Sequence, residues 1–211
     1  MAECGACRND EPGFDAARNY ALYTGKLRQA VLRLKFAGDH RLGVRLGELL
    51  ALPWERLPGM DGSGSPLIIP VPLHSSRRRE RGFNQSELLA TGLAHTLGKV
   101  KGKEAPRVET ACFCRKRDTP PQTGLSVAGR RENLRGAFEV AKPATVRGRR
   151  IVLVDDVMTT GATLSACART LKRAGAAQVM GITLARATPQ FPDLSPPEAD
   201  NTVDGLAWDS T

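Results

Sequence analysis

The sequence predicts an α/β protein built on a twisted, mostly parallel sheet flanked by helices. Three observations lead there. Short apolar runs alternate along the chain with stretches of helical periodicity, the order that βαβ units produce. Residues 151–154 read Ile-Val-Leu-Val, four consecutive apolar and mostly β-branched side chains, as suits a strand buried on both faces. At 211 residues the chain accommodates one substantial domain with appendages, and not two full ones.

Taken in order, residues 26–36 place Leu27, Ala30, Val31 and Leu34 at helical spacing with Lys and Arg on the other face. Residues 41–51 repeat the pattern with Leu42, Leu46, Leu49 and Leu50, and Pro53 ends the element. Gly and Ser between 59 and 65 mark a loop. Residues 67–71 (Leu-Ile-Ile-Pro-Val) read as a short buried strand despite the proline. Residues 84–97 suit a helix, with Asn84 and Glu87 spaced for a capping box and Gly98 as terminator. Residues 108–114 form a weaker strand, and the polar stretch 115–133 a loop. The strand at 151–154 leads to a helix from Leu164, with Leu164, Cys167, Leu171 and Ala174 along one side and Gly175 as its stop. Residues 179–184 close the sheet. There is no internal repeat.

Composition narrows the function without choosing it. The chain is 41% hydrophobic and 25% charged, as in ordinary soluble proteins. No apolar run approaches the roughly 20 residues that span a bilayer, and the start has no signal-peptide core, so no membrane insertion and a cytoplasmic location are expected. The net charge is +9, yet Asp193, Glu198, Asp200, Asp204 and Asp209 follow the last basic residue, Arg186, so residues 1–186 carry about +14. A basic body favours polyanions: pyrophosphate, a phosphosugar or a nucleic-acid backbone. Residues 187–211, acidic and Pro-containing, are expected to be a loosely ordered tail.

The most informative segment begins where the central strand is expected to end. Asp155 and Asp156 stand there, followed by the small, hydroxyl-rich turn Thr159, Thr160, Gly161, Ala162 and Thr163. In open α/β sheets ligands bind at the carboxyl ends of strands. A turn entering a helix offers backbone N–H groups and the positive end of the helix dipole to a phosphate. Bare acids beside it would repel a phosphate unless they hold ribose hydroxyls or a divalent cation. The economical ligand is a phosphorylated sugar. An Asp pair after a strand can also merely cap the next helix. A receiver-type acidic pocket is excluded by chain order, because only 55 residues follow Asp156. Successive strand residues point to opposite faces, so both acids can serve one sugar only if the chain already turns there.

Two further segments carry chemistry. Residues 70–85 leave a buried strand and become cationic, with His74 followed by Arg77, Arg78, Arg79 and Arg81, a set suited to pyrophosphate or a nucleic-acid backbone and otherwise a solvated basic loop. The long polar stretch containing Thr119, Gln122, Ser126, Arg131 and Asn133 is either a moving, binding loop or a connector. His40 and His95 read as ordinary helix-end or surface residues.

The run Ile-Val-Leu-Val-Asp-Asp-Val-Met-Thr-Thr-Gly-Ala-Thr resembles the PRPP-binding signature of type I phosphoribosyltransferases. With it, Leu34-Lys35-Phe36-Ala37-Gly38-Asp39, Pro70-Val71-Pro72-Leu73-His74, Arg81-Gly82-Phe83-Asn84-Gln85 and the positions Thr119, Gln122, Leu125, Ser126, Arg131, Asn133, Gly136 and Phe138 are similar to the ComF family, over about residues 4–186. The resemblance implies a type I phosphoribosyltransferase-like fold at 14–186, with a small N-terminal hood from residues 14–58 that reads the acceptor. It implies that Asp155 and Asp156 hold the ribose hydroxyls, Thr159 to Thr163 the 5′-phosphate, and His74 with Arg77, Arg78, Arg79 and Arg81 the pyrophosphate. It makes 119–133 a flexible flap. It also implies Mg²⁺ engaged with Asp155 and Asp156 through the substrate, a nitrogenous acceptor, and a role in competence and DNA uptake. The other reading is a non-catalytic module meeting PRPP, single-stranded DNA or a helicase-like uptake protein, although 5% aromatics limit base stacking. A homodimer is compatible with either. ComF-like proteins often begin with a zinc ribbon of two Cys pairs. Here residues 1–13 retain Cys4 and Cys7, two of the four ligands structural zinc prefers, while Cys112 and Cys114 are expected to pack inward.

Overall fold

A computed structural model describes residues 12–60, 65–100, 105–118 and 133–188. Its centre is β5 (Arg150–Met158), whose residues 151–154 are all buried. Parallel to it lie β6 (Gln178–Arg186) on one side and β2 (Leu67–Pro70) on the other, and β1 (Ala16–Leu22) pairs in parallel with β6 as the edge. The order is β1-β6-β5-β2. Proline 70 is tolerated because it closes β2, where it removes no interior ladder bond.

Strand alternation divides the interior into two cores. Val152 and Val154 of β5, with Met180, Ile182 and Leu184 of β6, pack on α1 (Gly25–Ala37), α2 (His40–Glu48) and α5 (Gln85–Gly98). Ile151, Leu153 and Val179 face the other way, onto Leu164, Cys167 and Leu171 of α7 (Ala162–Arg173). That second core also takes Phe113 and Phe138, which stack with centroids 5.7 Å apart across the antiparallel pair β3 (Phe113–Arg115) and β4 (Phe138–Val140). Short helices α3 (Ala51–Trp54), α4 (Ser75–Arg81) and α6 (Pro143–Val146) complete the order. Between α2 and α5 the backbones approach so closely that a Cβ on Gly92 would collide with the Val44 carbonyl, and one on Gly47 with that of Leu89.

Several boundaries differ from expectation. β5 runs to Met158, so the two acids sit inside the strand and not beyond it. α7 starts at Ala162, two residues before Leu164. The Arg-rich stretch forms α4, a helix of its own, and not a loop. Asn84 caps α5 by accepting the Ser86 N–H, but Glu87 completes no capping box, because it takes the Arg78 guanidinium instead. Gly98 remains within α5 with Lys99 as its C-cap. Strand pairing at 108–114 is confined to a bridge between Val108 and Ile68 and to β3. β1 escaped notice altogether. Its Ala-Ala-Arg-Asn-Tyr-Ala-Leu has no apolar run, and pairing with β6 makes it a strand. Residues 14–58, expected as a hood, thus supply the sheet's edge and much of one helical layer. Among the described residues no helix is long and apolar enough to cross a membrane.

Candidate functional site

The carboxyl end of β5 enters α7 through a turn at Gly161, whose φ of 79° is the left-handed conformation glycine adopts without strain. Gly161 has no side chain with which to cap the helix, and the Thr160 hydroxyl accepts the Ala162 N–H at 3.3 Å instead. A small concavity of about 20 Å³ lies over this turn. Its lining includes Asp155, Met158, Thr159, Gly161, Ala162 and Thr163. The helix beneath is 12 residues long, so its dipole places positive potential at the pocket floor. Thr160 is exposed and stands outside the lining.

The two adjacent acids are treated differently. Asp155 Oδ1 accepts from the Ser86 hydroxyl and from the Asp156 N–H, both at 3.0 Å. Burial, then the neighbouring Asp156 charge, pushes its carboxyl up to about 7. Ser86 reaches it because Asn84 fixes the start of α5, with the Asn84 side-chain amide donating to the Val71 carbonyl at 3.1 Å. Asp156 is buried and outside the pocket lining. Its Oδ2 lies 2.8 Å from Lys35 Nζ of α1, and its Oδ1 accepts the Val157 N–H at 2.7 Å. The structure brings together Asp155, Thr159, Gly161, Ala162 and Thr163, and turns Asp156 towards α1.

The basic segment is also divided by its helix. His74 is the N-cap of α4; its Nδ1 lies 2.9 Å from Ser76 Oγ and 3.3 Å from Asp118 Oδ2. The Ser76 hydroxyl donates to Asp118 at 2.5 Å, which, with His74 and Arg77 nearby, holds the Asp118 carboxyl below its usual range. Arg77 and Arg81, four residues apart, share a face. Arg78 is committed to Glu87 through two bonds of 2.6 and 3.0 Å, and Arg79 is exposed. Arg81 donates to Gln85 Oε1 at 2.9 Å and lies over the Phe36 ring, 5.9 Å from its centroid, within the field of Asp156; burial lowers its pKa.

Besides Ser86, two residues of this neighbourhood escaped sequence reasoning. Lys35 lay inside a quoted segment but carried no role, because helical periodicity shows only that it leaves the apolar face. Arg115, at the end of β3, lies over the Phe138 ring at 5.7 Å and within the field of Asp155 and Asp118, with its pKa lowered by burial. A bridge between His74 and Arg115 sets α4 beside β3, a juxtaposition that local pattern cannot reveal. Of the expected flap, Asn133 is described: its carbonyl accepts from Arg117 at 2.7 Å. Thr119, Gln122, Ser126 and Arg131 lie outside the described residues, as do Cys4, Cys7 and the tail beyond 188. Cys112, Cys114 and Cys167 are free thiols; Cys112 and Cys167 are buried, which pushes Cys112 up to about 11 and raises Cys167 as well. Among the described residues no three His, Cys, Asp or Glu side chains gather to hold a metal.

The family model for the phosphoribosyl transferase domain matches residues 118–190, which include the whole pocket lining. The DNA utilization protein YhgH of Salmonella typhi is 38% identical over 186 residues, covering 87% of this chain and 77% of that protein. Competence protein F of Haemophilus influenzae is 34% identical over 186 residues, covering 87% and 78%. The chain belongs to the ComF family. A more distant ComF relative, competence protein ComFC of Bacillus subtilis, is 28% identical over 171 residues, 80% of this chain and 63% of its own. The parallel sheet of this ComF protein, with helices on both faces, is accordingly the type I phosphoribosyltransferase architecture.

Proposed function

We propose that this ComF protein binds 5-phosphoribosyl 1-pyrophosphate at the carboxyl end of β5 and transfers the phosphoribosyl group to a nitrogenous acceptor, releasing pyrophosphate. The observation that carries the reading is the shared lining of one pocket by Asp155 and the Thr159, Gly161 to Thr163 turn. The turn and the N-terminus of α7 suit the 5′-phosphate. Asp155 suits a ribose hydroxyl, which donates to a carboxylate. Arg77, Arg81 and Arg115 are the cations for the departing pyrophosphate, where negative charge grows as the anomeric carbon–oxygen bond breaks and the carbon–nitrogen bond forms.

Mg²⁺ fits this donor set only as an ion held mainly by substrate oxygens. Asp155 supplies a carboxylate at the pocket, whereas Asp156 is taken by Lys35. When bound, the ion would neutralise pyrophosphate charge. The protein's own part is to fix the phosphate in the turn, orient the ribose through Asp155 and present guanidiniums to the leaving group.

Calorimetry with PRPP and Mg²⁺ tests the binding step. Micromolar affinity in the wild-type protein and its loss in Asp155→Asn support it, and equal affinity in a folded variant refutes it. Release of pyrophosphate with a panel of nitrogenous acceptors tests transfer. A second reading, a binding module without turnover that meets single-stranded DNA, draws on the exposed guanidiniums of α4 and on the relatives' name as DNA utilization proteins. Salt-dependent DNA binding lost in Arg78→Ala/Arg79→Ala, without pyrophosphate release, would favour it.

A further inference from the structure

A second cleft, of about 220 Å³, opens along α7, against about 20 Å³ for the concavity over the Gly161 turn. Its lining includes Arg135, Ala162, Ala166, Arg169, Thr170 and Arg173. Ala162 is the residue that the two hollows share.

The sequence of α7 shapes this cleft. Positions 162, 166, 169, 170 and 173 recur at helical spacing and so share one side of the helix. Alanines at 162 and 166 leave room, and Arg169 and Arg173 follow one turn apart. The third guanidinium, that of Arg135, comes from the turn before β4, and the protein holds that turn firmly. Leu134 is buried, the Ala137 N–H donates to the Leu134 carbonyl at 3.1 Å, and Gly136 takes a φ of 66°. Arg117 donates to the Asn133 and Arg135 carbonyls at 2.7 and 2.9 Å. A Cβ on Gly136 would meet nothing within 4 Å, as suits a residue beside open space.

Among the described residues neither an acid nor an aromatic ring lines the cleft. Three arginines in one hollow call for more negative charge than a single carboxylate carries. Thr170 gives its hydroxyl proton to the Ala166 carbonyl at 3.0 Å, so recognition falls to the guanidiniums. Arginine grips phosphate through paired N–H bonds, and side chains one helical turn apart, about 5.4 Å, can each hold a different phosphate. A nucleic-acid strand bound without sequence readout would want rings on which to stack its bases, and this lining offers none.

We propose that this cleft is a second anion site, taking a chain of two or three phosphates, free or carried by a nucleotide, on Arg135, Arg169 and Arg173. It stands independently of the sugar-phosphate reading of the concavity at Asp155.

Charge-matched substitution tests it. Arg169→Gln/Arg173→Gln is compared with Arg45→Gln/Arg56→Gln, which removes the same charge from exposed positions in and after the helical layer on the other face of the sheet. Arg135→Gln probes the opposite wall. Urea denaturation checks folding, and calorimetry measures inorganic tripolyphosphate, ATP, an oligothymidylate and PRPP with Mg²⁺. The cleft pair should weaken tripolyphosphate by about tenfold or more and the control pair by less than about threefold. Arg135→Gln should weaken it as well, and PRPP should change little in any variant. ATP weakened in parallel would identify the nucleotide-borne chain, and ATP unaffected the inorganic one. Equal losses in the two pairs, or a wild-type protein that binds no tripolyphosphate, would overturn the proposal. So would a cleft pair that loses oligothymidylate and keeps tripolyphosphate, since the cleft would then carry a strand. Loss of PRPP together with tripolyphosphate in the cleft pair would also overturn it, because the two hollows would then be one site.

Discussion

Asp155→Asn has a consequence for stability that is separate from any ligand. In the folded protein burial and the Asp156 charge hold the Asp155 carboxyl at about 7, against 3.8 as the ordinary value. The raised pKa means that the folded state keeps a proton the unfolded chain has already released. Stability from this group is fully present below about pH 4, declines as pH rises towards 7, and is constant above. Where the folded state holds one proton more, the slope reaches about 1.4 kcal/mol per pH unit. Asparagine keeps an oxygen for Ser86 and the Asp156 amide but does not titrate. Urea denaturation in metal-free buffer from pH 4.5 to 8.5 should therefore show Asp155→Asn gaining on the wild type as pH rises, with the difference levelling off above about 7. A gain of 1 kcal/mol corresponds to about 3 °C in Tm for a chain of this length. Parallel curves across the whole range would refute the reasoning, because the acid would then titrate as an ordinary surface carboxylate.

Other substitutions probe the elements that place the site. Gly92→Ala should cost about 1 to 3 kcal/mol in urea denaturation, because its Cβ meets the Val44 carbonyl where α2 and α5 nearly touch. Ser86→Ala should cost about 1 kcal/mol and weaken PRPP binding in calorimetry, since Asp155 loses a donor that orients its Oδ1. Arg77→Ala should reduce PRPP affinity more than Arg79→Ala, which points into solvent, and equal effects would show that charge alone attracts the ligand. Arg78→Ala should leave stability within about 1 kcal/mol of wild type, because its pair with Glu87 is more than half exposed on the arginine side.

The architecture was legible because its signals are local. A run such as Ile-Val-Leu-Val can be satisfied only by burial on both faces, and the threonine turn before a helix marks a strand's carboxyl end. The amphipathic spacing of Leu164, Cys167 and Leu171 likewise fixes which side of α7 meets the sheet. β1 was illegible for the opposite reason, since its mixed sequence becomes a strand through hydrogen bonds supplied by β6. α4 was hidden because four arginines show no apolar face from which a helix could be read.

The site divides in the same way. Sequence by itself determined which residue types meet at the end of β5: two acids, a glycine and hydroxyls leading into a helix. Tertiary structure alone decided their surroundings. It extended β5 through both acids, and strand alternation then sent Asp155 towards α7 and Asp156 towards α1. It brought Lys35 from 121 positions upstream to neutralise one acid, and left the other raised by burial. A carboxylate's charge and exposure depend on what is packed around it, and those neighbours come from distant parts of the chain.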